Sequence, residues 1–328
     1  MYENQIIRHA GLTRLPDTSE SGTVKIPDAP AVYAIVLNWN SWKETIRCIN
    51  FLKKSEYNNL HIIVVDNASQ TEQDFEKISA MSEVHLIKAR RNIGYGGGNN
   101  LGIMMALEAG AEFLCLLNPD VIVEAGTLKG LVETLKSDPR IGMIGPKFVF
   151  EDKPDIIRNA GYFLQPEKGC ILTRCGFREN DGEQHSKPLM EADFISGSCM
   201  MIRREAVEDI GLIAEHFFLY WEDVEWCHRA LSKEWKVAVN QRAKVFHNTT
   251  KKVNQRAPNY YHYFFTRNHL RFVRDHYPEA LPKALIRSTL RIVNIMRLNG
   301  RYRGKMRLSI AGSIIKAIFH GTFFHRNL

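Results

Sequence analysis

At 328 residues and a formal net charge of +8, the chain is long enough for one large α/β core with an appendage. Its six cysteines include no CxxC pair, and several lie in apolar runs. This argues against a zinc site or a disulfide framework and predicts small core side chains in a reducing compartment. The N-terminal residues lack the charged and then apolar pattern of a secretory signal, so we expect a cytoplasmic protein.

Positive charge is concentrated at the C-terminal end. From Lys251 onward the chain has sixteen Lys and Arg against two acidic residues, which is +14, whereas the first 250 residues carry −6. The most apolar stretch there, residues 308–324, is interrupted by Ser309, Ser313, Lys316 and His320. We therefore predict a basic tail on a mildly acidic body, and no transmembrane span.

The first half of the chain contains four short apolar runs of the kind that forms strands buried on both faces of a parallel sheet. They follow a polar, turn-rich stretch at 1–30 that predicts a loosely attached arm, and they occupy residues 31–37, 60–65, 84–88 and 113–117. An amphipathic helix over 41–54 joins the first two into a right-handed βαβ unit. Each run ends in polar residues, where open α/β sheets bind ligands. This half is predicted to be a doubly wound, nucleotide-binding domain.

The pattern changes in the second half. It predicts a helix over 124–136, a strand over 142–150, a hairpin or flap within the Gly-, Pro- and charge-rich residues 151–190, and strands over 235–239 and 244–246. From residue 259 the chain is predicted to be helical to its end, with breaks at prolines and glycines.

A pair of adjacent carboxylates, Glu222 and Asp223, stands within the stretch FFLYWEDVEWCHR. The pair begins a probable helix whose inner face is predicted to be Val224, Cys227 and Leu231. A carboxylate in the first helical turn is favoured in its ionised form by the helix dipole, which suits a general base. The alternative is a simple helix cap.

Two further motifs follow predicted strands and have two interpretations each. The glycine cluster at 94–98 lacks the lysine of a Walker loop, but with Gly94, Tyr95 and Asn99 at a helix start it is suited to close ligand contact, or else to a flexible turn. The motif Asn118-Pro119-Asp120 is either a site for a divalent cation that bridges phosphates or an Asx turn.

Two more polar sites also have two interpretations each. Asp66 and Asn67 end the second strand and are either nucleoside contacts or strand caps. His247, which follows the last predicted strand, is either a metal or diphosphate contact or a structural residue.

The order of the motifs along residues 31–275 resembles that of the family 2 glycosyltransferases of GT-A fold, in particular the bacterial rhamnosyltransferase-like members. The motifs, in chain order, are AIVLNWN, IIVVDNAS, RNIGYGGGNNLGI, LCLLNPD, SGSCMMIRR, FFLYWEDVEWCHR, VFHNTT and YYHYFFTRNHLRF. The resemblance implies an α/β fold with a mostly parallel, doubly wound sheet. It divides the chain into an arm (1–30), a catalytic domain (31–258, with nucleotide and acceptor halves meeting at 123) and a helical basic extension (259–328).

The resemblance also implies roles for individual residues. Asn118-Pro119-Asp120 stands in place of the family's DxD motif, with Asn for the first Asp, so Asp120 is the expected carboxylate for Mn²⁺ or Mg²⁺. Asp223 falls on the catalytic base of the family's ED motif, with Glu222 beside it. The other positions implied are Asn38 and Asp66 for the nucleoside, Ser196, Gly197 and Ser198 on the acceptor side, and His247 near metal or diphosphate.

The implied reaction is inverting sugar transfer from a nucleotide-diphospho-sugar, with dTDP-rhamnose as one candidate, to a lipid-linked or glycan acceptor. Residues 282–298 and 305–324 mix apolar and basic residues at helical spacing, which predicts helices lying on the anionic inner face of the cell membrane, with a solvated basic surface as the alternative. Nucleic acid is a weaker candidate, since no RNA-binding motif interleaves the charges.

Two competing functions remain at this stage. A sugar-phosphate nucleotidyltransferase would be expected to have a glycine-rich basic loop directly after the first strand, where this chain has Asn38-Trp39-Asn40-Ser41. A non-catalytic protein that binds membranes or nucleic acid would bind through its tail without turnover.

Overall fold

A computed structural model describes residues 29–71, 75–185, 187–247, 259–297 and 305–324. The nucleotide half alternates strands and helices, as the apolar runs predicted. Its strands are β1 (Val32–Asn38), β2 (Leu60–Asp66), β3 (Val84–Lys88) and β4 (Phe113–Leu117), and its helices are α1 (Trp42–Leu52), α2 (Phe75–Ser79) and α3 (Gly94–Glu108).

These four strands form one parallel sheet in the order β4-β1-β2-β3. Every residue of β1 is buried, because helices cover both faces of the sheet. The register pairs Val36 with both Val64 and Leu117. The carboxyl ends of β1, β2 and β4 therefore lie side by side at one edge of the sheet.

The acceptor half extends the same sheet with strands of mixed direction. Its elements are β5 (Val121–Val123), α4 (Thr127–Ser137), β6 (Ile141–Phe150), β7 (Lys153–Asn159), β8 (Tyr162–Gln165), β9 (Ile171–Arg174), β10 (Leu189–Glu191), β11 (Cys199–Arg203), α5 (Arg204–Ile210), α6 (Glu222–Ser232) and β12 (Lys236–His247). Beyond β4 the order continues β11-β6-β12-β10, while β5 pairs with β12 and β7 with β6. Strand β11 is antiparallel to both of its neighbours, and β6 and β12 are parallel.

The predicted hairpin within residues 151–190 is confirmed by the antiparallel pair β8 and β9. The two strands predicted over 235–239 and 244–246 are one strand, β12, whose register against β6 shifts between Asn240 and Lys244. The polar residues at this irregularity led us to predict a break. A bulge absorbs them instead, since the Asn240 side-chain oxygen accepts the Arg242 and Ala243 amides.

Three helices follow, α7 (Asn259–His276), α8 (Leu281–Arg297) and α9 (Lys305–Phe323). Helix α7 shares the hydrophobic core of the sheet, to which it contributes Leu270, Phe272 and Val273. Helix α9 packs on α7 so closely that a Cβ on Gly321 would lie 2.7 Å from the Arg267 carbonyl oxygen. Within the described parts of the chain, no helix is both long and apolar enough to cross a bilayer. The arm predicted over 1–30 lies almost entirely outside the described residues.

Helix α6 confirms most of the predicted apolar face but not all of it. Val224 and Cys227 are buried, whereas Leu231 is 37% exposed and the prediction for it was wrong. The last turn of the helix runs beyond the core. Trp226 is buried instead, because its indole lies under the end of α5 and donates to the Gly211 carbonyl at 2.8 Å.

Candidate active site

Asp223 lies in the first turn of α6, directly after a loop with unusual backbone geometry. Phe218, Tyr220 and Trp221 have φ angles of 66°, 68° and 74°, a region that side-chain-bearing residues seldom adopt. Such strain persists only where the surroundings enforce it, and it clusters at functional sites. The loop fixes where the helix begins and therefore where the Asp223 carboxylate points.

Two backbone amides hold the Asp223 carboxylate. Oδ2 accepts the Gly197 amide at 3.1 Å and Oδ1 accepts the Val224 amide at 3.0 Å. Burial raises the pKa of Asp223 to about 6, and the hydrogen bonds from Gly197 and Val224 oppose the rise. Burial thus outweighs these hydrogen bonds, and the carboxyl is still mostly ionised at neutral pH.

Glu222 differs sharply from its neighbour. Its side chain is 4% exposed, and its Oε2 atom has no hydrogen-bond partner among the described residues. Burial, and then the charge of Asp223, raise the pKa of Glu222 well above its ordinary value. The two carboxyls therefore share a single negative charge at neutral pH, and it resides on Asp223.

Backbone and side-chain contacts join the predicted acceptor segment to the predicted metal motif. The Asn118 amide donates to the Ser198 carbonyl at 2.9 Å, and the Asn118 side chain donates to the Ser198 hydroxyl at 3.1 Å. Strands β4 and β11 run antiparallel just before this point, with Leu117 opposite Cys199. Since Gly197 binds Asp223, the two motifs and the carboxylate adjoin one another at one edge of the sheet, which we call the candidate cleft, or cleft for short.

Asp120 and His247 face each other on the metal side of that cleft. Asp120 precedes β5, His247 ends β12, and these two strands pair with Val121 opposite His247. The His247 Nε2 and Asp120 Oδ1 atoms are 3.5 Å apart, and both side chains are largely buried. Among the described residues no cluster of three or more His, Cys, Asp or Glu is found, so this pair would need ligands from a bound diphosphate to complete a metal shell.

Asn38 and Asp66 form a buried polar network at the ends of β1 and β2. The Asn38 side chain donates to Asp66 Oδ1 at 3.1 Å and to the Ser69 hydroxyl at 3.0 Å. The Ser69 amide and hydroxyl donate in turn to Asp66. The network fixes the loop that follows β2, at the edge where a nucleoside would bind.

The glycine-rich segment forms the start of α3. The Asn67 side-chain oxygen accepts a hydrogen bond from the Ile93 backbone amide. The Asn67 side-chain nitrogen donates to the Asn92 side-chain oxygen and to the Gly94 carbonyl. Gly94 has a φ of 81°, and a Cβ there would lie 2.4 Å from the Phe218 carbonyl oxygen. Only glycine fits, so this turn and the strained loop before α6 pack directly together.

Tyr95 and Asn99 complete this side of the cleft. The Tyr95 hydroxyl donates to the Gly197 carbonyl at 2.6 Å, and burial followed by Asp223 raises the pKa of Tyr95 well above its ordinary value. Asn99 is fully buried and donates to the Tyr95 carbonyl, but its Oδ1 atom has no partner in the described part of the chain. The predicted site residues described above thus adjoin one another along one edge of the sheet, although the Asn67 side chain contacts protein groups and not the cleft itself.

A profile of the family described as glycosyl transferase family 2 matches residues 33–211, more than half of the chain. The chain belongs to glycosyl transferase family 2. Among curated relatives, this family 2 chain is 28% identical over 214 residues to the low-salt glycan biosynthesis hexosyltransferase Agl10 of Haloferax volcanii, covering 62% of this chain and 66% of the relative. It is 26% identical over 202 residues to the dTDP-rhamnosyl transferase RfbF of Shigella flexneri, covering 61% and 63%.

A third relative is the N-acetylglucosaminyl-diphospho-decaprenol L-rhamnosyltransferase of Mycobacterium tuberculosis, 26% identical over 204 residues with 57% of this chain and 66% of the relative covered. The family 2 chain therefore spans just under two thirds of the length of these relatives.

Solved structures confirm the GT-A-type α/β fold of the family 2 chain. GalNAc-T7, determined with UDP, GalNAc and Mn²⁺, superposes with a TM-score of 0.62 at 14% identity and covers 88% of this chain and 55% of its own. The mannosyltransferase PcManGT of Pyrobaculum calidifontis, with GDP-Man and Mn²⁺, superposes with a TM-score of 0.54 at 14% identity and covers 98% and 94%. A divalent cation thus occurs in both neighbours.

Sequence reasoning missed the residues of the family 2 chain that support the strained loop. The Asn268 side-chain nitrogen lies 2.8 Å from the carbonyl oxygens of Phe217, Leu219 and Tyr220. Arg267 donates to the Phe217 carbonyl at 2.7 Å. Both residues stand in the aromatic motif YYHYFFTRNHLRF, where polar residues on an otherwise apolar helix were the available signal.

Proposed function

We propose that this family 2 chain is an inverting glycosyltransferase that moves a sugar from a nucleotide-diphospho-sugar to a hydroxyl of a lipid-linked or polysaccharide acceptor. The observation that carries the proposal is the hydrogen-bonded path from Asn118 through Ser198 and Gly197 to Asp223. This path sets a candidate metal side and a candidate base across one cleft. A nucleotidyltransferase is not favoured, because its basic glycine-rich loop has no counterpart after β1.

In the proposed reaction, Asp223 acts as the general base. Its two amide contacts orient the carboxylate, and its burial makes it a better proton acceptor than an exposed aspartate. The acceptor oxygen forms a bond to the anomeric carbon while its proton passes to Asp223. The bond to the diphosphate oxygen breaks on the opposite face and its electron pair leaves with the nucleoside diphosphate, so the configuration inverts.

Asp120 and His247 would hold a divalent cation in this proposal. A carboxylate and an imidazole nitrogen 3.5 Å apart form a donor set that fits Mn²⁺, and Mg²⁺ is the alternative. When bound, such an ion supplies positive charge against the charge that develops on the leaving diphosphate. The chain's own residues bring the carboxylate and the imidazole together through the pairing of β5 with β12.

The names of two relatives guide the choice of substrates. RfbF is a dTDP-rhamnosyl transferase, and the mycobacterial relative is named for an N-acetylglucosaminyl-diphospho-decaprenol acceptor. We therefore propose dTDP-L-rhamnose as the first donor to test and a diphospholipid-linked sugar as the first acceptor.

We further propose that the protein works at the inner face of the cell membrane, bound through α8 and α9. Neither helix contains an acidic residue, and together they carry seven Lys and Arg. Their outward side chains include large apolar residues, among them Ile286, Leu290, Leu308, Ile315, Phe319 and Phe323. Apolar residues rimmed by positive charge suit the surface of an anionic bilayer, and binding to lipid vesicles tests the proposal.

The decisive experiment for the reaction is a transfer assay with the full-length protein, Mn²⁺, a panel of nucleotide-sugars and a diphospholipid-linked acceptor. Release of the nucleoside diphosphate and formation of a glycosylated lipid of inverted configuration are expected. Asp223→Asn should reduce transfer by at least about a hundredfold, since a positioned general base contributes roughly 10²–10⁴-fold. Full transfer by this variant would overturn the assignment of the base.

A further inference from the structure

Arg158 is a partly buried cation beside the cleft that no motif singled out. It lies on β7 between Ile157 and Asn159, which pair with Val149 and Phe148 of β6. The same end of β6 pairs on its other side with β12, where Phe150 lies opposite His247. Arg158 is therefore two strands away from a candidate metal ligand. Its Nη1 atom is buried and has no hydrogen-bond partner among the described residues.

This part of the chain also lies close to the segment that holds the candidate base, Asp223. Tyr162, four residues after Arg158, packs its ring on Phe194 with centroids 4.7 Å apart, and its amide donates to the Phe194 carbonyl. Phe194 precedes Gly197, which holds the Asp223 carboxylate. The guanidinium of Arg174 in turn lies 5.8 Å from the Tyr162 ring centroid. Two arginines thus stand on the flap formed by β7, β8 and β9.

The charges around Arg158 do not balance within the described residues. Burial is the largest influence on the pKa of Arg158 and lowers it, and the nearby charge of Arg174 lowers it further. Tyr162 and Asp120 act in the opposite direction and raise this pKa. The guanidinium remains protonated, because its ordinary pKa is so high. No described carboxylate forms an ion pair with it, and a partly buried cation with an unsatisfied Nη1 atom is costly to keep. A protein can keep such an unpaired cation where a bound ligand supplies the missing negative charge.

A phosphate oxyanion is the ligand whose chemistry matches. The planar fork of an arginine binds two phosphate oxygens at once, and its charge is not lost on burial. Both a nucleotide-diphospho-sugar and a diphospholipid-linked acceptor bring phosphates into this cleft. Arg158 lies within electrostatic reach of Asp120 and beside the tyrosine that packs next to the base, so either phosphate would be accessible to it.

We propose that Arg158 binds a phosphate oxyanion of a substrate in this cleft and stabilises its negative charge during sugar transfer. The proposal rests on the proposed glycosyltransferase function. If the phosphate is that of the donor, Arg158 opposes the charge that develops on the leaving diphosphate. If it is that of the acceptor, Arg158 positions the acceptor sugar against Asp223.

The test compares Arg158→Gln and Arg158→Lys with Arg178→Gln, a matched change of an exposed arginine on the same flap. Affinity for dTDP, UDP and GDP with Mn²⁺ is measured by calorimetry, and KM is measured for acceptors with and without a phosphate. A donor contact predicts that Arg158→Gln weakens binding of the preferred nucleoside diphosphate at least about tenfold. An acceptor contact predicts unchanged nucleotide affinity and a similar rise in KM for the phosphorylated acceptor alone.

Thermal unfolding separates binding from folding. Because Arg158→Gln removes a partly buried charge that has no ion-pair partner among the described residues, we expect its ligand-free Tm to equal or exceed that of the wild type, while the Tm increase caused by the phosphate ligand shrinks. Arg158→Lys keeps the charge and covers the case in which the glutamine variant does not fold. The proposal is overturned if the wild type binds and transfers while both Arg158 variants match Arg178→Gln. Failure of the wild type itself to bind nucleotides or transfer sugar would instead overturn the proposed function.

Discussion

The single side chain on which the proposed chemistry depends is Asp223, and its environment exerts two opposing influences on its charge. Burial disfavours the carboxylate, while the Gly197 and Val224 amides favour it. Burial and the charge of Asp223 raise the pKa of Glu222 well above its ordinary value, so the Glu222 carboxyl stays protonated beside Asp223. The result is one ionised carboxylate with a pKa of about 6, close to neutral pH, which is what a general base requires.

This environment predicts the pH dependence of transfer. The rate should fall about tenfold per pH unit below about pH 6, as Asp223 takes up a proton. Steady-state kcat/KM across the acidic range measures the fall. Donor affinity is measured at the same pH values as a control, because protonation of the candidate metal ligands would weaken donor binding. A rate that is flat down to about pH 4 would show that a different group accepts the proton.

The same pKa shift predicts an effect on stability with a definite sign. The folded-state pKa of Asp223, about 6, exceeds its unfolded value, so its contribution to stability is present below the unfolded pKa and is lost as pH rises through 6. At pH values above 7, Asp223→Asn should therefore raise Tm by about 2–4 °C while it abolishes transfer. Near pH 4 the increase should be much smaller.

At the scale of elements, helix α7 acts as a support for the strained loop before α6. Asn268 and Arg267 bind the carbonyl groups of Phe217, Leu219 and Tyr220, and Arg271 donates to the His216 carbonyl at 3.1 Å. These carbonyls have no partners within a regular element, because the loop is neither helix nor strand. The backbone needs such contacts to hold three positive φ angles within four residues.

We predict that Asn268→Ala lowers stability by about 1–3 kcal/mol and reduces kcat at least about tenfold, since it leaves buried carbonyls unpaired and frees the start of α6. Nucleotide affinity should change less than about threefold, because the nucleotide edge lies on β1 and β2. Urea unfolding and separate measurements of kcat and nucleotide Kd check this. Asn294→Ala, on an exposed position of α8, is the control. Equal losses of kcat and nucleotide affinity would contradict a role confined to the loop.

Sequence patterns predicted the elements best where one physical rule dominated. The continuous apolar runs of β1, β2, β3 and β4 allowed a single interpretation, and the polar residues after them located the cleft. Asn67 could not be interpreted in the same way, because its contacts with Ile93 and Gly94 join residues 26 and 27 positions apart. Arg158 also gave no signal, since its position depends on how β7 pairs with β6.

At the scale of the whole molecule, helix α7 connects the candidate cleft to the basic helices, which have a small hydrophobic cluster of their own. Helix α7 binds the loop before Asp223 on one side and packs against α9 on the other. The outward residues Leu308, Ile315, Phe319 and Phe323 recur at helical spacing and are 64%, 58%, 53% and 70% exposed. The fold thus couples a proposed membrane-facing surface to the supports of the proposed base.

Vesicle flotation tests this surface. The full-length protein should float with phosphatidylcholine vesicles that contain phosphatidylglycerol, bind phosphatidylcholine alone weakly, and dissociate as salt rises, because each Lys or Arg near an anionic surface contributes about 1 kcal/mol. Replacing both Phe319 and Phe323 by Ser should weaken binding at least about tenfold. Phe163→Ser, an exposed phenylalanine on β8, is the matched control. Equal binding by the double variant and its control would contradict the proposed surface.

The measurement that tests the central claim most directly is Mn²⁺-dependent binding of the donor nucleotide, followed by transfer, in Asp120→Asn and Asp223→Asn. If the two carboxylates serve one reaction from opposite sides, the first variant should lose metal-dependent binding at least about tenfold. The second should bind as the wild type does and transfer at least about a hundredfold more slowly. Metal-dependent binding by Asp120→Asn at the wild-type level, or full transfer by Asp223→Asn, would contradict the claim.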